Sequence, residues 1–319
     1  KIDSKGIAKL GLSKDIPVSQ FPAKLVLELR SLTRKYYDLT DERSAHINKL
    51  KGDLHTVFPQ YLDVFCDVTG KTSTMILRQY GTPDKILRGH KKTMIEKISK
   101  ASRKGLAKAS ERYEKLCAAA NAAKTFGCQI DSIYFNIFLT LDLVEKLDSA
   151  LDSILNRIRQ LITFNKNEKF IQQIKLLNTI PGVGFLTAVT IMCEIGDFSA
   201  FRNPKQLFAY FGLDPEVNES GKFVGTQLHM SKRGSRIARR AIFAVALASI
   251  RTKRNGEGIN PYLRKYYELK SGQKPKMVAI GAVMHKVCNI VFAVLRDEKA
   301  FELRSPEEHC KQYQKPALA

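Results

Sequence analysis

The sequence predicts a mainly α fold: a long helical hairpin or coiled coil, followed by an α-rich module with a helix-hairpin-helix. Three observations carry that expectation. Apolar residues recur at alternating steps of four and three in two long stretches. Prolines stand where helices start and stop. A Gly-x-Gly unit separates two further apolar, helix-periodic stretches. Three regions follow: a short opening segment (residues 1–15), a helical region (16–167) and a compact carboxy-terminal module (168–319).

The opening segment begins at Lys1 rather than Met and runs directly into a helix-like stretch, so the true start is expected upstream. The first seam is Leu25, Leu29, Leu32, Tyr36 and Leu39, bounded by Pro22 and Pro59. The second is Val144, Leu147, Leu151, Ile154, Ile158 and Leu161, with no polar interruption. An ordinary bundle core accounts for both seams as well as a coiled coil does. Between them runs a basic stretch from Lys85 to Lys108 in which Glu96 is the only acid. It reads as a solvated helix face or as a face that contacts phosphates.

The module opens on Ile180-Pro181-Gly182-Val183-Gly184 between two helical stretches. Glycines there permit a tight turn and bring backbone N–H groups at the next helix start close to a phosphate. A turn that touches no ligand gives the same pattern. Asn203-Pro204 then supplies an N-cap and a first-turn proline. Residues 217–223 read as a turn with extended flanks. Ser231-Lys232-Arg233-Gly234-Ser235-Arg236 leads into a helix carrying Arg239 and Arg240, with Ser235 placed as its N-cap. No acid occurs from Gly221 to Arg254, and a basic loop entering a basic helix is a phosphate cradle.

The balance of charge fits that reading. Lys and Arg total 53 against 31 acids, a net charge of +22, and a surplus that large calls for an anionic partner, nucleic acid first. Apolar residues at 44% exclude wholesale disorder. No secretory signal opens the chain and no uninterrupted apolar run reaches spanning length, so a membrane partner is not expected. Six cysteines without a Cys-x-x-Cys pair argue against a zinc knuckle and suit buried thiols in a reducing cytoplasm. His285 and Cys288 share a helix face, but further ligands are wanting.

The string from Ile180 to Gly184, through Phe208-Ala-Tyr-Phe-Gly-Leu-Asp-Pro215 and Ser220-Gly221-Lys222, to Ser231-Lys-Arg-Gly234 resembles the carboxy-terminal domain of insertion sequence 110 family transposases. The order and gaps of these motifs are far more specific than any one of them. The match loosens at Ala238, where the family more often has leucine. Arg30, Leu32, Arg34, Asn48-Lys49-Leu50, Leu54-His55 and Pro59 are compatible with the family's long helix. Lys1-Ile2-Asp3-Ser4-Lys5 resembles the end of a motif with two aspartates three apart.

The resemblance implies a DNA recombinase that uses a RuvC-like α/β domain with a four-acid Mg²⁺ site and a nucleophilic serine that links covalently to DNA. Asp3 matches the last of the four acids, as catalytic and metal-binding residue; the other three would precede Lys1, and residues 1–15 would be the remnant of that domain. This chain alone would then lack activity. Ser220 matches the nucleophile. Without the resemblance it reads as an ordinary turn serine. Gly182, Gly184, Lys222, Lys232, Arg233, Arg236, Arg239 and Arg240 are the expected nucleic-acid contacts. Lys222 and Arg233 are placed to stabilise a pentacovalent phosphate. The family also implies a structured guide RNA, a dimer that pairs into a tetramer on DNA, and a cytoplasmic, nucleoid-associated location. A non-catalytic nucleic-acid-binding protein is the alternative, and an RNA-binding scaffold that does not need Ser220 is a third.

Overall fold

A computed structural model describes residues 2–12, 22–126, 128–166, 168–216, 219–220, 223–224 and 229–308. The described residues are mainly helical. The chain forms two compact units, one of residues 34–157 and one of residues 1–33 with 158–319. Both boundaries fall inside long helices: α2 (Lys24–Val57) and α8 (Asp131–Phe164). The opening helix is α1 (Ile2–Gly11).

Helix α2 begins after Pro22 and stops before Pro59, as proline requires. It runs antiparallel to α8. The Arg43 guanidinium grips the Asp148 carboxylate, with Nη2 donating to Oδ2 at 3.2 Å. An equal stretch further along each helix, the Tyr134 hydroxyl donates to the Val57 carbonyl at 3.4 Å. Of the expected seam positions, Leu29, Leu39, Val144, Leu151, Ile158 and Leu161 are buried, while Leu25, Leu32, Tyr36, Leu147 and Ile154 are half-buried.

Between these two helices the chain adds five shorter ones: α3 (Tyr61–Val64), α4 (Lys71–Gln79), α5 (Pro83–Arg88), α6 (Lys91–Ser102) and α7 (Leu106–Phe126). Thr82 caps α5 by accepting from the Lys85 N–H, and Pro83 occupies its first turn. Phe58, Tyr61, Ile76, Met94 and Leu116 are fully buried in one core. The Tyr61 hydroxyl escapes isolation there by donating to the Ser73 carbonyl at 3.0 Å. Burial drives its pKa well above the usual tyrosine value, against a smaller lowering by the bond to Ser73.

The other unit is built on α9 (Lys169–Leu177), α10 (Phe185–Ile195), α11 (Pro204–Tyr210), α12 (Arg236–Ser249), α13 (Pro261–Ser271) and α14 (Lys276–Asp297). The last of these is central and packs on α9, α11, α12 and α13. Its residues Ala279, Val283, Val287, Val291 and Leu295 recur every fourth position and are all buried, a ridge suited to helix packing. Each such Val or Leu contributes about 1.5–3 kcal/mol of burial. Among the described residues this is the one helix long and apolar enough to cross a membrane, an exception to the sequence expectation. His285, Lys286 and Asn289 interrupt its apolar run, and its buried ridge makes it a core helix.

Arg30, on the first turns of α2, donates from Nε to the Cys193 carbonyl at 2.7 Å and so caps the end of α10. Gly196, with φ +73°, returns its N–H to the Met192 carbonyl at 2.8 Å and closes the same end. The thiols are not all buried as expected. Cys193 and Cys288 are, Cys117 is half-buried, and Cys66 and Cys128 are exposed on the helical unit. Cys310 lies outside the described residues.

Candidate functional site

The turn between α9 and α10 is fixed by its sequence. The Val183 N–H donates to the Ile180 carbonyl at 2.9 Å, with Pro181 and Gly182 between them. Proline followed by a glycine at φ +96° is the type II pattern. A Cβ on Gly182 would lie 2.6 Å from the Ser249 Oγ and 3.0 Å from its backbone N. That buried serine donates to the Pro181 carbonyl at 3.0 Å. The first glycine therefore serves the turn and its packing on α12. Gly184 is different: it is exposed, begins α10 without a side-chain cap, and has open space around its Cα.

A second glycine pair makes two loops cross. A Cβ on Gly234 would stand 2.0 Å from the Tyr210 carbonyl oxygen and 2.7 Å from the Gly212 N. One on Gly212, whose φ is +66°, would stand 2.5 Å from the Gly234 N. Around the crossing, the Lys232 N–H donates to the Gly212 carbonyl at 3.0 Å. Arg239, one turn into α12, donates from Nη1 to the carbonyls of Gly234 (2.7 Å), Lys232 (3.1 Å) and Phe211 (3.2 Å). Ser235 accepts from the Ala238 N–H at 3.1 Å and caps α12. Asn203 caps α11 in the same way, accepting from the Gln206 N–H at 3.0 Å with Pro204 behind it. Ala238, where the family resemblance loosens, is fully buried.

From this crossing rises a hairpin. The Ser231 N–H donates to the Asp214 carbonyl at 2.8 Å, and its Oγ donates to Asp214 Oδ1 at 2.6 Å. Pro215 bridges Met230, and the Glu216 N–H donates to the His229 carbonyl at 2.7 Å. Further out, β1 (Glu219–Ser220) pairs antiparallel with β2 (Phe223–Val224), with Ser220 opposite Phe223. Gly221 and Lys222 separate those partners in sequence; both lie outside the described residues. The backbone of Ser220 thus belongs to a two-stranded ladder next to a two-residue connection.

Of the other expected contacts, Lys232, Arg233 and Arg236 are exposed and Arg240 is half-buried. Lys232 adopts φ +54°, a left-handed conformation uncommon for lysine. Asp3 is exposed on α1. Among the described residues no three His, Cys, Asp or Glu side chains group to hold a metal ion. Asp3, the one acid of this chain that the resemblance assigns to a Mg²⁺ site, does not make such a site by itself. His285 does not pair with Cys288 as a ligand set either. Its ring meets Phe208 edge-on at 4.6 Å, and burial, then the Lys286 charge, lowers its pKa. Burial raises the Cys288 thiol far above the thiolate range.

Sequence reasoning missed the Gly212–Gly234 crossing, the Asp214–Ser231 lock and the carbonyl clamp of Arg239. The glycines of Phe211-Gly212-Leu213 and Arg233-Gly234-Ser235 were the available signal, but their pairing is non-local.

Residues 174–268 match a family model described as "Transposase IS116/IS110/IS902 family", and residues 1–59 match one described as "Transposase", of the DEDD type named for IS110. The chain is 23% identical over 286 residues to a 43.6 kDa protein of insertion element IS110 from Streptomyces coelicolor, covering 89% of this chain and 66% of that one. It is 30% identical over 177 residues to the pilin gene-inverting protein of Moraxella bovis, 55% of this chain and 52% of that one. A transposase for insertion sequence element IS1111A from Coxiella burnetii is 26% identical over 188 residues, 57% of this chain and 50% of that one. The chain spans roughly half to two thirds of the length of these relatives.

Proposed function

We propose that this chain, which its family-model matches and relatives support as an IS110/IS116/IS902 family transposase, belongs to an enzyme that performs DNA strand exchange with Ser220 as the nucleophile and three further acids completing the site of Asp3, directed by a structured guide RNA. The observation that carries the proposal is the hairpin. Its base is locked by Asp214, Ser231 and the glycine crossing, and its outer ladder holds the Ser220 backbone opposite Phe223. A serine hydroxyl is a weak nucleophile and gains from a rigid mounting that presents it in one orientation. Here Oγ would attack phosphorus and give up its proton as the phosphoserine bond forms; the P–O bond to one strand end breaks, and the expelled oxygen takes up a proton and leaves as a strand-end hydroxyl. Lys222 and Arg233 would stabilise the charge that develops on the phosphoryl oxygens.

Binding rests on different groups. Lys232 and Arg236 at the start of α12, in a stretch free of acids from Gly221 to Arg254, would meet phosphates. Gly184, open at the head of α10, would let a phosphate approach the first-turn amides in helix-hairpin-helix fashion. Gly182 and Arg239 would act by shaping the loops, and Arg240 by flanking the phosphate path. Insertion and inversion, the activities named for the transposase and pilin-inverting relatives, are both DNA strand exchange, so one serine chemistry serves either. A dimer pairing into a tetramer would bring the exchanging strands together.

The test is recombination between two DNA sites by the protein with its RNA, comparing Ser220→Ala with the parent. Loss of recombination with retained DNA and RNA affinity supports the proposal. Full activity in the variant leaves the non-catalytic, nucleic-acid-binding role as the better reading of this hairpin.

A further inference from the structure

The basic stretch between the two long helices is not a featureless solvated face. Where α6 gives way to α7, the chain encloses a polar cavity of about 280 Å³. Lys104, Lys108, Arg112 and Lys115 line it, against the carboxylates of Asp63 and Glu111. Lys108, Arg112 and Lys115 follow the i, i+4, i+7 spacing that aligns side chains on one face of α7. Lys104 stands in the loop before α7. Lys115 Nζ bonds Glu111 Oε1 at 2.8 Å. That bond, then the charges of Lys115, Arg112 and Lys108, holds the Glu111 carboxyl below its usual range. Two carboxylates leave the four cations undercompensated.

The neighbouring aromatic rings tell against a single strand. No aromatic side chain is among the residues that line the cavity, and the ring 5.6 Å from Arg112, that of Phe65, is buried. Single strands are held by bases stacking on open rings, and the cavity lining offers none. Backbone contacts without base contacts fit a double helix.

We infer that the cavity between α6 and α7 is a nucleic-acid site of its own on the 34–157 unit, gripping the phosphate backbone of a double helix through Lys104, Lys108, Arg112 and Lys115. It rests on the nucleic-acid part of the proposed function and not on Ser220, so loss of one leaves the other standing.

The experiment uses the full chain carrying Lys104→Gln and Lys108→Gln together, both exposed positions, with unchanged thermal melting as the folding control. Affinity is measured against salt for random-sequence duplex DNA, duplex RNA and a single strand. Losing two phosphate contacts should flatten the slope of log K on log salt by about 1.8 for duplex DNA. Flattening with both duplexes supports a reader of backbone alone, and flattening with one identifies the natural partner. Unchanged slopes with both, or an equal loss on the single strand, overturn the inference. Glu111→Gln gives an independent reading because it removes a counter-charge and releases Lys115. Duplex affinity should rise several-fold at low salt; weaker or unchanged binding overturns the inference.

Discussion

Replacing Gly234 by alanine puts the loop crossing to a direct test. The new methyl would sit 2.0 Å from the Tyr210 oxygen, where ordinary contact begins at 3.4 Å. The obstacle is backbone on every side, so no side chain can swing away. The two loops must part, and parting them removes the Lys232–Gly212 bond and strains the Arg239 bonds to Gly234 and Phe211. At about 1 kcal/mol for each of three bonds, the cost is about 3 kcal/mol. Overpacking alone falls in the same range, about 1–3 kcal/mol. For a unit of this size that corresponds to a fall in Tm of about 6–12 °C. Gly184→Ala is the control: its Cβ meets nothing within 4 Å, and a first-position Gly→Ala exchange costs a few tenths to about 1 kcal/mol. Thermal unfolding followed by helical circular dichroism reads both. A Gly234→Ala melt within about 2 °C of the parent, the shift expected for less than about 1 kcal/mol, would refute the crossing.

Other perturbations reach other parts of the molecule. Burial raises Tyr134 to about 12 and drives Tyr61 further up, and each titrates near 10 when unfolded. Their contribution to stability is therefore complete below about pH 10 and is lost as pH rises through the folded values. The helical unit should loosen between about pH 10 and 12, with late ionisation of Tyr134, Tyr61 and Tyr113, the last raised by its bond to Cys117, in tyrosinate absorbance; simultaneous ionisation of all tyrosines near pH 10 contradicts this. Affinity for duplex DNA should fall about 10³-fold or more between 50 and 200 mM salt if some six phosphates are neutralised, whereas a flat titration removes the nucleic-acid reading. Asn203→Ala should cost about 1 kcal/mol as a lost cap of α11, and an unchanged melting curve would mean that the cap contributes nothing.

Local chemistry was legible in the sequence and non-local geometry was not. Pro22 and Pro59 bounded α2, Asn203-Pro204 opened α11, and Ser235 opened α12, because caps and prolines act on adjacent backbone. Ile180-Pro-Gly-Val-Gly184 announced a tight turn for the same reason. The compact units divide inside α2 and α8, where no glycine, proline or change in composition marks the chain, so spacing alone gave no warning. Arg239 read as one more cation in a basic helix. Its three carbonyl partners are fixed by the fold of loops far from it in sequence. The exposed Cys66 and Cys128 show the same limit, since burial of a scattered thiol depends on packing that periodicity does not encode.

The central claim, that Ser220 attacks DNA, is tested most directly by trapping the covalent intermediate. The protein is incubated with its RNA, Mg²⁺ and end-labelled DNA, resolved on a denaturing gel, and the adduct is mapped by peptide mass spectrometry. Ser220→Ala removes one oxygen and should change stability by about 0.5 kcal/mol or less, so a folding defect would not mimic the result. Ser231→Ala and Ser235→Ala serve as controls; the first breaks the bond to Asp214 and should lower the adduct's yield, the second loses a helix cap, and in both the adduct should still map to Ser220. The account predicts a phosphoserine at Ser220 that vanishes in the Ser220→Ala protein alone. An adduct that persists in that variant, or that maps to Ser231, would contradict it.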